Sequence, residues 1–245
     1  MEGRRRLAQS REPDFLIVVD DVATTPRTAL LAGATGLVGD ALLSLLLASE
    51  YYRSVHVLLR RTRPGIEASA KLKIRQIDFA RLPATLPAAD DVFIALGTTI
   101  KIAGSEAAFR QVDFDFVVNV ARAAFAAGAR RLAVVSAMGA DPTSRIFYNR
   151  VKGEMETAVL QIGYESVVIA QPSLLLGDRA ALGQSLRSGE IWAARLAGPL
   201  GWIIPKNLRP IPARAVALAM LAAILDAKPG VRVLKSGAMQ ARNEP

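Results

Sequence analysis

The fold of this chain is decided by residues 28–40, which read TALLAGATGLVGD. An apolar segment of strand length, residues 29–32, leads directly into glycines spaced Gly-x-x-Gly-x-x-Gly, and an apolar helical pattern follows over residues 40–49. Glycines allow a tight turn and a close approach of the backbone to a ligand, and the helix N-terminus offers free N–H groups to phosphates. The turn therefore predicts a seat for the phosphates of a dinucleotide. The alternative is a purely structural strand-to-helix turn.

Outward from this turn, strand-length apolar runs alternate with segments of helical period. Further strands are predicted at residues 55–59, 72–77, 92–96, 131–136, 166–170 and 231–234, and further helices at 105–127, 144–162 and 213–225. This alternation indicates repeated βαβ units and predicts an α/β, doubly wound parallel-sheet Rossmann fold with a small C-terminal substrate lobe.

The predicted domain covers residues 27–245, with the substrate lobe at about residues 171–212. A packing cap without ligand contact is the alternative for that lobe. Residues 1–26 are expected to form a partly ordered N-terminal extension outside the fold.

The composition of the chain limits which catalytic groups and metal sites it can contain. With 245 residues, 51% of them hydrophobic, the chain suits one sizeable α/β domain. It has no cysteine, and its single histidine, His56, lies in an apolar run that predicts a core or sheet-edge role. Disulfides, thiolate nucleophiles, metal sites and a Ser-His-Asp triad are therefore not expected. Acid–base chemistry would have to use Tyr, Lys, Asp, Glu or Ser.

The formal net charge of +9 is scattered along the chain rather than clustered. We therefore expect a basic surface suited to anionic ligands, and no nucleic-acid partner. No apolar stretch approaches the roughly 18–20 residues of a membrane span, and the apolar run at residues 15–19 is too short for a signal peptide. The expectation is a cytoplasmic protein without membrane association, either a monomer or a dimer, acting on a small-molecule substrate.

The end of the second strand indicates which nicotinamide cofactor binds. An NAD site usually carries Asp or Glu about 20 residues after the glycines, whereas this chain has Arg60 and Arg61 there. Two guanidinium groups suit a 2′-phosphate, so NADP(H) is predicted, with NAD(H) as the alternative if the arginines are only a solvated strand end. By position alone, Asp78 and Phe79 would contact the adenine, and residues 96–98 would let the backbone approach the cofactor.

Tyr148 and Lys152 are four residues apart on a predicted helix, so they share one face. That helix follows the fifth strand, whose last residue is Ser136. An ammonium group beside a phenol stabilises the phenolate and makes tyrosine a better acid–base group near neutral pH. The pair therefore predicts proton transfer next to the cofactor.

These segments together resemble an atypical short-chain dehydrogenase/reductase, and within that superfamily the Tat-interacting oxidoreductase family. The resemblance rests on residues 33–39 (GATGLVG), 96–101 (LGTTIK), 109–117 with VDFD at 112–115, 135–137 (VSA), 147–154 (FYNRVKGE) and 171–177 (QPSLLLG). It spans about Thr28 to Leu225. The glycine spacing is the wider one of atypical and extended members.

The resemblance implies a role for each matching residue. Tyr148 would exchange the proton at the substrate oxygen, Lys152 would hold the nicotinamide ribose and stabilise the Tyr148 phenolate, and Ser136 would hydrogen-bond the carbonyl. Pro172 and Ser173 would lie against the nicotinamide. The predicted cofactor-binding residues are Gly33, Thr35, Gly36, Leu37, Val38, Gly39, Arg60, Arg61, Asp78, Phe79, Leu96, Gly97, Thr98, Tyr148, Lys152, Pro172 and Ser173.

Three functions are compatible with this reading. The first is an NADP(H)-dependent oxidoreductase acting on a small carbonyl or alcohol. The second is an NAD(P)H-binding regulatory or scaffold protein with little catalysis, since a cofactor site can outlive its chemistry. The third is a sugar-nucleotide epimerase or dehydratase, which would need a larger substrate lobe than this chain provides.

Overall fold

A computed structural model describes residues 26–61, 69–177 and 205–240, apart from the side chain of residue 206. Its strands are β1 (Arg27–Ala32), β2 (Tyr52–Leu59), β3 (Leu72–Gln76), β4 (Asp91–Ile94), β5 (Arg131–Val135), β6 (Ser166–Gln171), β7 (Leu175–Leu176), β8 (Ile211–Pro212) and β9 (Gly230–Lys235). Its α-helices are α1 (Leu37–Ala48), α2 (Ile100–Ala103), α3 (Glu106–Arg110), α4 (Val117–Ala126), α5 (Phe147–Leu160), α6 (Ala213–Leu225) and α7 (Ser236–Gln240). A π-helical turn (Gln111–Phe116) joins α3 to α4, and a 3₁₀ turn covers Lys206–Leu208.

The main sheet has seven parallel strands in the order β3-β2-β1-β4-β5-β6-β9. The strand order reverses next to β1, because β2 and β3 lie on one side of it and β4 to β6 on the other. In sheets of this kind the ligand crevice opens at the carboxyl ends of the strands at that point. The predicted Rossmann fold is thus confirmed, and its topology locates the site.

Both faces of the sheet are covered. One core lies between the sheet and helices α1 and α6, and its buried side chains include Leu31, Val57, Phe93, Val216 and Ile224. The other lies between the sheet and helices α4 and α5, and its buried side chains include Leu30, Leu58, Ile94, Val120 and Met155. Strands buried on both faces read as continuous apolar runs, which is why the sequence located them well.

Helix α1 begins three residues earlier than the sequence pattern suggests, at Leu37 instead of Asp40. Gly36 is its N-cap and has no side chain to bond the first-turn N–H groups. The glycine turn therefore opens directly into the helix N-terminus. Within the described residues, no helix has the length and apolar character needed to cross a membrane.

The predicted helix at residues 105–127 is interrupted. It consists of α3, the π-helical turn and α4. A π turn adds one residue to a helical turn and redirects the side chains around it. Val112 and Phe116 therefore line the cleft described below, whereas a regular helix would bury them with Phe109 and Val120.

A buried polar cluster ties strands together at the amino edge of the sheet. The Asp91 carboxylate accepts a 2.7 Å hydrogen bond from the Tyr52 hydroxyl and is ion-paired with Arg131 and, at 3.6 Å, with Arg27. These residues come from β1, β2, β4 and β5. His56, as predicted, lies within a strand, β2, where burial first, and then Lys73 and Arg75, lower its pKa.

The C-terminal part holds two features that the sequence did not indicate. Strand β7 pairs in parallel with β8, and the Ile211 N–H donates to the Leu174 carbonyl at 2.9 Å. Helix α7 follows β9. Most of the predicted substrate lobe, and residues 1–25 of the predicted N-terminal extension, lie outside the described residues.

Candidate active site

A cleft of about 810 Å³ opens at the carboxyl ends of the central strands. Most of the predicted site residues line it: Gly33, Thr35, Gly36, Leu37, Val38, Arg60, Arg61, Asp78, Phe79, Leu96, Gly97, Thr98, Ser136, Tyr148 and Lys152. They come from the ends of β1 to β5 and from α1 and α5. Parallel strands bring their carboxyl ends to one edge, so residues far apart in sequence meet there.

The three glycines of the turn have different local surroundings. Gly33 has a φ of +96°, and a Cβ there would lie 2.5 Å from the Ala95 carbonyl. A Cβ on Gly39 would overlap the Gly33 carbonyl oxygen, so this glycine lets α1 pack on the turn and does not line the cleft. A Cβ on Gly36 would meet nothing in the described chain closer than 3.6 Å. Packing within the protein therefore explains why residues 33 and 39 are glycines, while Gly36 faces open space suited to a ligand.

Arg60 and Arg61 are exposed at the end of β2 and line one end of the cleft. Among the described residues, neither arginine has an ion-pair partner. Asp78 lies nearby and accepts a 2.9 Å hydrogen bond from the Ala80 N–H. The Phe79 ring is buried and stacks on Phe116 with a centroid separation of 5.9 Å. Since no described carboxylate is ion-paired with either guanidinium group, this end of the cleft suits an anion.

Ser136 follows β5 and is only 4% exposed. Its N–H donates to the Ala170 carbonyl at 2.7 Å, but its Oγ has no hydrogen-bond partner in the described structure. Buried hydroxyls without a partner are uncommon, because losing water without replacement costs about 1–3 kcal/mol. Since Ser136 belongs to the cleft lining, this unpaired hydroxyl lies at the cleft wall.

Tyr148 and Lys152 lie one turn apart on α5, and both line the cleft. The Tyr148 ring packs against Phe109 with centroids 5.3 Å apart. Lys152 is nearly inaccessible, with 4% of its side chain exposed. The two side chains therefore lie on one face of α5, as their spacing predicts.

Asp113 is a cleft residue that sequence reasoning did not select. It lies in the π-helical turn with its side chain 1% exposed, and its Oδ1 is 2.7 Å from Lys152 Nζ. Its Oδ2 accepts a 2.8 Å hydrogen bond from the Thr98 N–H. The sequence feature that could have pointed to it is an acidic residue directly after Val112, within a helical pattern of buried apolar residues.

The surroundings of Lys152 act on its pKa in opposite directions. Burial lowers the pKa most strongly, while the Asp113 carboxylate, followed by Tyr148 and Glu156, raises it. The net effect is a raised pKa, so Lys152 is held as an ammonium ion. A buried ammonium needs such a partner, since isolated charges are very unfavourable in a protein interior.

Pro172 and Ser173 are, like Gly39, predicted site residues that are not part of the cleft lining. Ser173 Oγ donates to the Arg209 carbonyl and lies 2.9 Å from Ser236 Oγ, so it connects the loop after β6 to α7. The Pro172 carbonyl accepts a 2.9 Å bond from the Met138 N–H. From this loop it is Leu175 that reaches the cleft wall.

Comparison with known proteins shows which family this chain is similar to. A family model described as NAD(P)H-binding matches residues 33–168, more than half of the chain. The protein FMP52, mitochondrial, of Eremothecium gossypii is 38% identical over 62% of this chain and 67% of its own length. The protein HTATIP2 of Rattus norvegicus is 34% identical over 72% of each chain.

Solved structures agree on the fold. MoeE5 in complex with UDP-glucuronic acid and NAD has a TM-score of 0.66 at 20% identity, covering 86% of this chain and 76% of that one. The Bordetella bronchiseptica enzyme WbmG in complex with NAD has a TM-score of 0.61 at 18% identity, covering 88% and 74%. The family model and these relatives show that the chain belongs to the NAD(P)H-binding family, and the solved structures share its fold.

Proposed function

We propose that this protein is an NADP(H)-dependent oxidoreductase that interconverts a small carbonyl compound and its alcohol. The observation that carries the proposal is the Ser136 hydroxyl, which is buried, has no hydrogen-bond partner among the described residues, and belongs to the cleft that Tyr148 and Lys152 also line. A hydroxyl in this state can donate to a substrate oxygen without first breaking a bond within the protein.

The residues fit a nicotinamide dinucleotide. Gly36 leaves open space at the N-terminus of α1, where the pyrophosphate would be held by first-turn N–H groups. Lys152 would contact the nicotinamide ribose. The nicotinamide, when bound, supplies hydride to the substrate carbon or accepts it from there.

The protein's own residues handle the proton and the substrate oxygen. In reduction, Tyr148 donates its phenolic proton to the oxygen, and in oxidation it accepts that proton back. Ser136 donates a hydrogen bond to the same oxygen and orients it. Lys152, as an ammonium ion, stabilises the Tyr148 phenolate. The other lining side chains are mostly small or apolar, which suits a small, uncharged substrate: Ile102, Ala103, Ala108, Val112, Phe116 and Leu175.

Preference for NADP(H) is supported by Arg60 and Arg61, whose forked donors suit a phosphate dianion. Calorimetry should find tighter binding of NADPH than NADH to the wild type, and Arg60→Ala should lose most of that difference. Arg53→Ala is the matched control, because Arg53 is exposed near the amino end of the same strand. Equal affinity for both cofactors would refute the arginine argument and leave NAD(H) as the alternative.

The test of catalysis is Ser136→Ala, with Ser54→Ala as its control. Both hydroxyls are buried and have no hydrogen-bond partner in the part of the chain that the structure describes, but Ser54 lies on β2 and does not line the cleft. With NADPH and a panel of aldehydes and ketones, Ser136→Ala should lower kcat by about a hundredfold or more, since hydrogen bonds to a developing oxyanion are worth about 2.7–4 kcal/mol. Ser54→Ala should leave kcat unchanged.

Tyr148→Phe should abolish turnover while leaving NADPH binding in place. If the wild type binds NADPH and turns over nothing on the panel, the regulatory or scaffold alternative gains support. A partner protein whose affinity changes with NADPH would then be the result to look for.

The cellular location is a separate part of the proposal. The sequence predicts a cytoplasmic protein, whereas the FMP52 relative is named mitochondrial. Fractionation of cells that express the full chain with a C-terminal tag would distinguish the two compartments.

A further inference from the structure

The cleft contains a charged pair whose acidic member has no task in the proposed chemistry. Lys152 Nζ and Asp113 Oδ1 are 2.7 Å apart, and both side chains are almost completely buried. Buried ion pairs contribute little to stability on their own, because desolvation offsets their attraction. Stability alone is therefore a weak explanation for a pair in the wall of a ligand cleft.

The pair joins three separate elements. Asp113 belongs to the π-helical turn, Lys152 to α5, and the Thr98 N–H, which donates to the second carboxylate oxygen at 2.8 Å, to the loop after β4. A Cβ on the neighbouring Gly97 would lie only 3.3 Å from Asp113 Oδ1. The loop backbone thus closes around the carboxylate and leaves little freedom for its position.

Asp113 also determines the charge of its partner. The titratable groups acting on Lys152 are Asp113 from the π-helical turn, and Tyr148 and Glu156 from its own helix. Burial lowers the pKa of Lys152, and Asp113 is the strongest opposing influence. Without the Asp113 charge, the desolvated amine would release its proton at a lower pH, as buried lysines do.

We propose that Asp113 is a positioning residue that keeps Lys152 charged and fixed at the place where it meets the cofactor and Tyr148. The inference rests on the proposed cofactor site. The role needs the negative charge as well as the shape of the side chain, and this distinguishes it from ordinary packing.

The experiment compares the wild type with Asp113→Asn, which keeps the shape and an oxygen acceptor for Thr98 but removes the charge. Asp115→Asn is the matched control, because Asp115 lies in the same π-helical turn and is exposed. NADPH affinity is measured by calorimetry from about pH 7 to about pH 10, around the ordinary lysine pKa of about 10.4. The wild type and the control should keep nearly constant affinity. Asp113→Asn should lose at least about tenfold toward the alkaline end.

A second readout follows the amine directly. In protein labelled with [6-¹³C]lysine, the Cε chemical shift separates ammonium from neutral amine, and loss of one signal in Lys152→Arg assigns it. The wild-type Lys152 signal should not titrate below about pH 10, whereas in Asp113→Asn it should.

The outcomes can be told apart. An Asp113→Asn protein with the wild-type pH profile and Lys152 signal would overturn the inference. If that variant does not fold, a wild-type Lys152 that titrates below about pH 10 would overturn it equally. Absence of NADPH binding by the wild type would instead refute the proposed function, while the NMR titration still reports on the pair.

Discussion

The ring of Phe109 packs against the ring of Tyr148 with centroids 5.3 Å apart and an interplanar angle of 39°. Phe109 is fully buried and also contacts Phe147. It lies at the end of α3, just before the π-helical turn. Helix α3 thereby holds the proposed proton donor in place through an aromatic contact.

Phe109→Leu should therefore impair catalysis more than binding. A small displacement of Tyr148 is expected to lower kcat by about ten- to hundredfold, since misplacement of about 1 Å can cost that much. NADPH affinity by calorimetry should change little. Phe125→Leu is the control, because the Phe125 ring packs on Tyr164 at 5.2 Å and lies away from the cleft. Equal kcat for the two variants would contradict this role of Phe109.

Gly36→Ala should separate folding from cofactor binding. The Gly36 backbone, at φ −88° and ψ 166°, is accessible to alanine, and the nearest described atom to a Cβ would be 3.6 Å away. The melting temperature should stay close to that of the wild type. NADPH affinity should fall by at least about tenfold, because the methyl group occupies the space that the pyrophosphate needs. Undiminished affinity would show that the phosphates lie elsewhere.

Gly39→Ala should behave in the opposite manner. Its Cβ would overlap the Gly33 carbonyl oxygen, so α1 would have to move away from the turn. We expect a loss of about 1–3 kcal/mol in the free energy of unfolding, as for other overpacked positions. Chemical denaturation measures this, and a stability equal to that of Gly36→Ala would contradict the packing role of Gly39.

The Asp113–Lys152 pair should show strong coupling in a double-mutant cycle. Asp113→Leu and Lys152→Met each leave one buried charge unpaired, which should cost about 3–5 kcal/mol. The double variant removes both charges and should be more stable than either single variant, although the Thr98 N–H loses its acceptor. Urea denaturation gives the free energies of unfolding of the wild type and of the three variants. Additive losses would mean that the two charges do not depend on each other.

Tyr52 should make the stability decline at alkaline pH. Burial and then the Asp91 carboxylate raise its pKa well above the ordinary value of about 10, against the opposing effects of Arg27 and Arg131. Because the folded pKa is above the unfolded one, this contribution is complete below about pH 10 and is lost as the pH rises above it. Burial also raises the pKa of Tyr164, which adds to the decline.

Tyr52→Phe should reduce that alkaline decline and cost about 1–3 kcal/mol at neutral pH, because Asp91 loses a buried hydrogen bond. Tyr51→Phe serves as the control. The free energy of unfolding is measured by urea denaturation at several pH values. An alkaline slope that is unchanged in Tyr52→Phe would contradict the assignment.

The sequence predicted much of the fold for physical reasons that are local. Strands buried on both sides are continuous apolar runs, and the glycine turn has a spacing of its own, so β1, α1 and the cleft position were accessible. Helix α6 was predicted with its observed bounds because its apolar pattern ends at Asp226. Tyr148 and Lys152 were accessible because helical spacing alone brings them to one face.

What the sequence could not give depends on contacts between distant segments. Apolar residues spaced three and four apart predict a regular helix and do not reveal the π-helical turn. The direction of the Asp113 side chain therefore could not be predicted. Its pairing with Lys152 and Thr98 exists only once three elements have met. Ser173 is a similar case, since its partners Arg209 and Ser236 are far along the chain.

The pairing of β7 with β8 has a consequence for how this protein can change. It holds Leu175 next to Ile211 and Leu176 next to Pro212. The two ends of the segment between β7 and β8 therefore lie side by side next to the cleft. The entropic cost of closing a loop grows only slowly with its length. The chain between Leu176 and Ile211 can thus change in length while this pairing and the seven-stranded sheet stay as they are. The fold could in this way accept a longer or shorter segment after β7, over evolution, without loss of the cleft at the ends of the central strands.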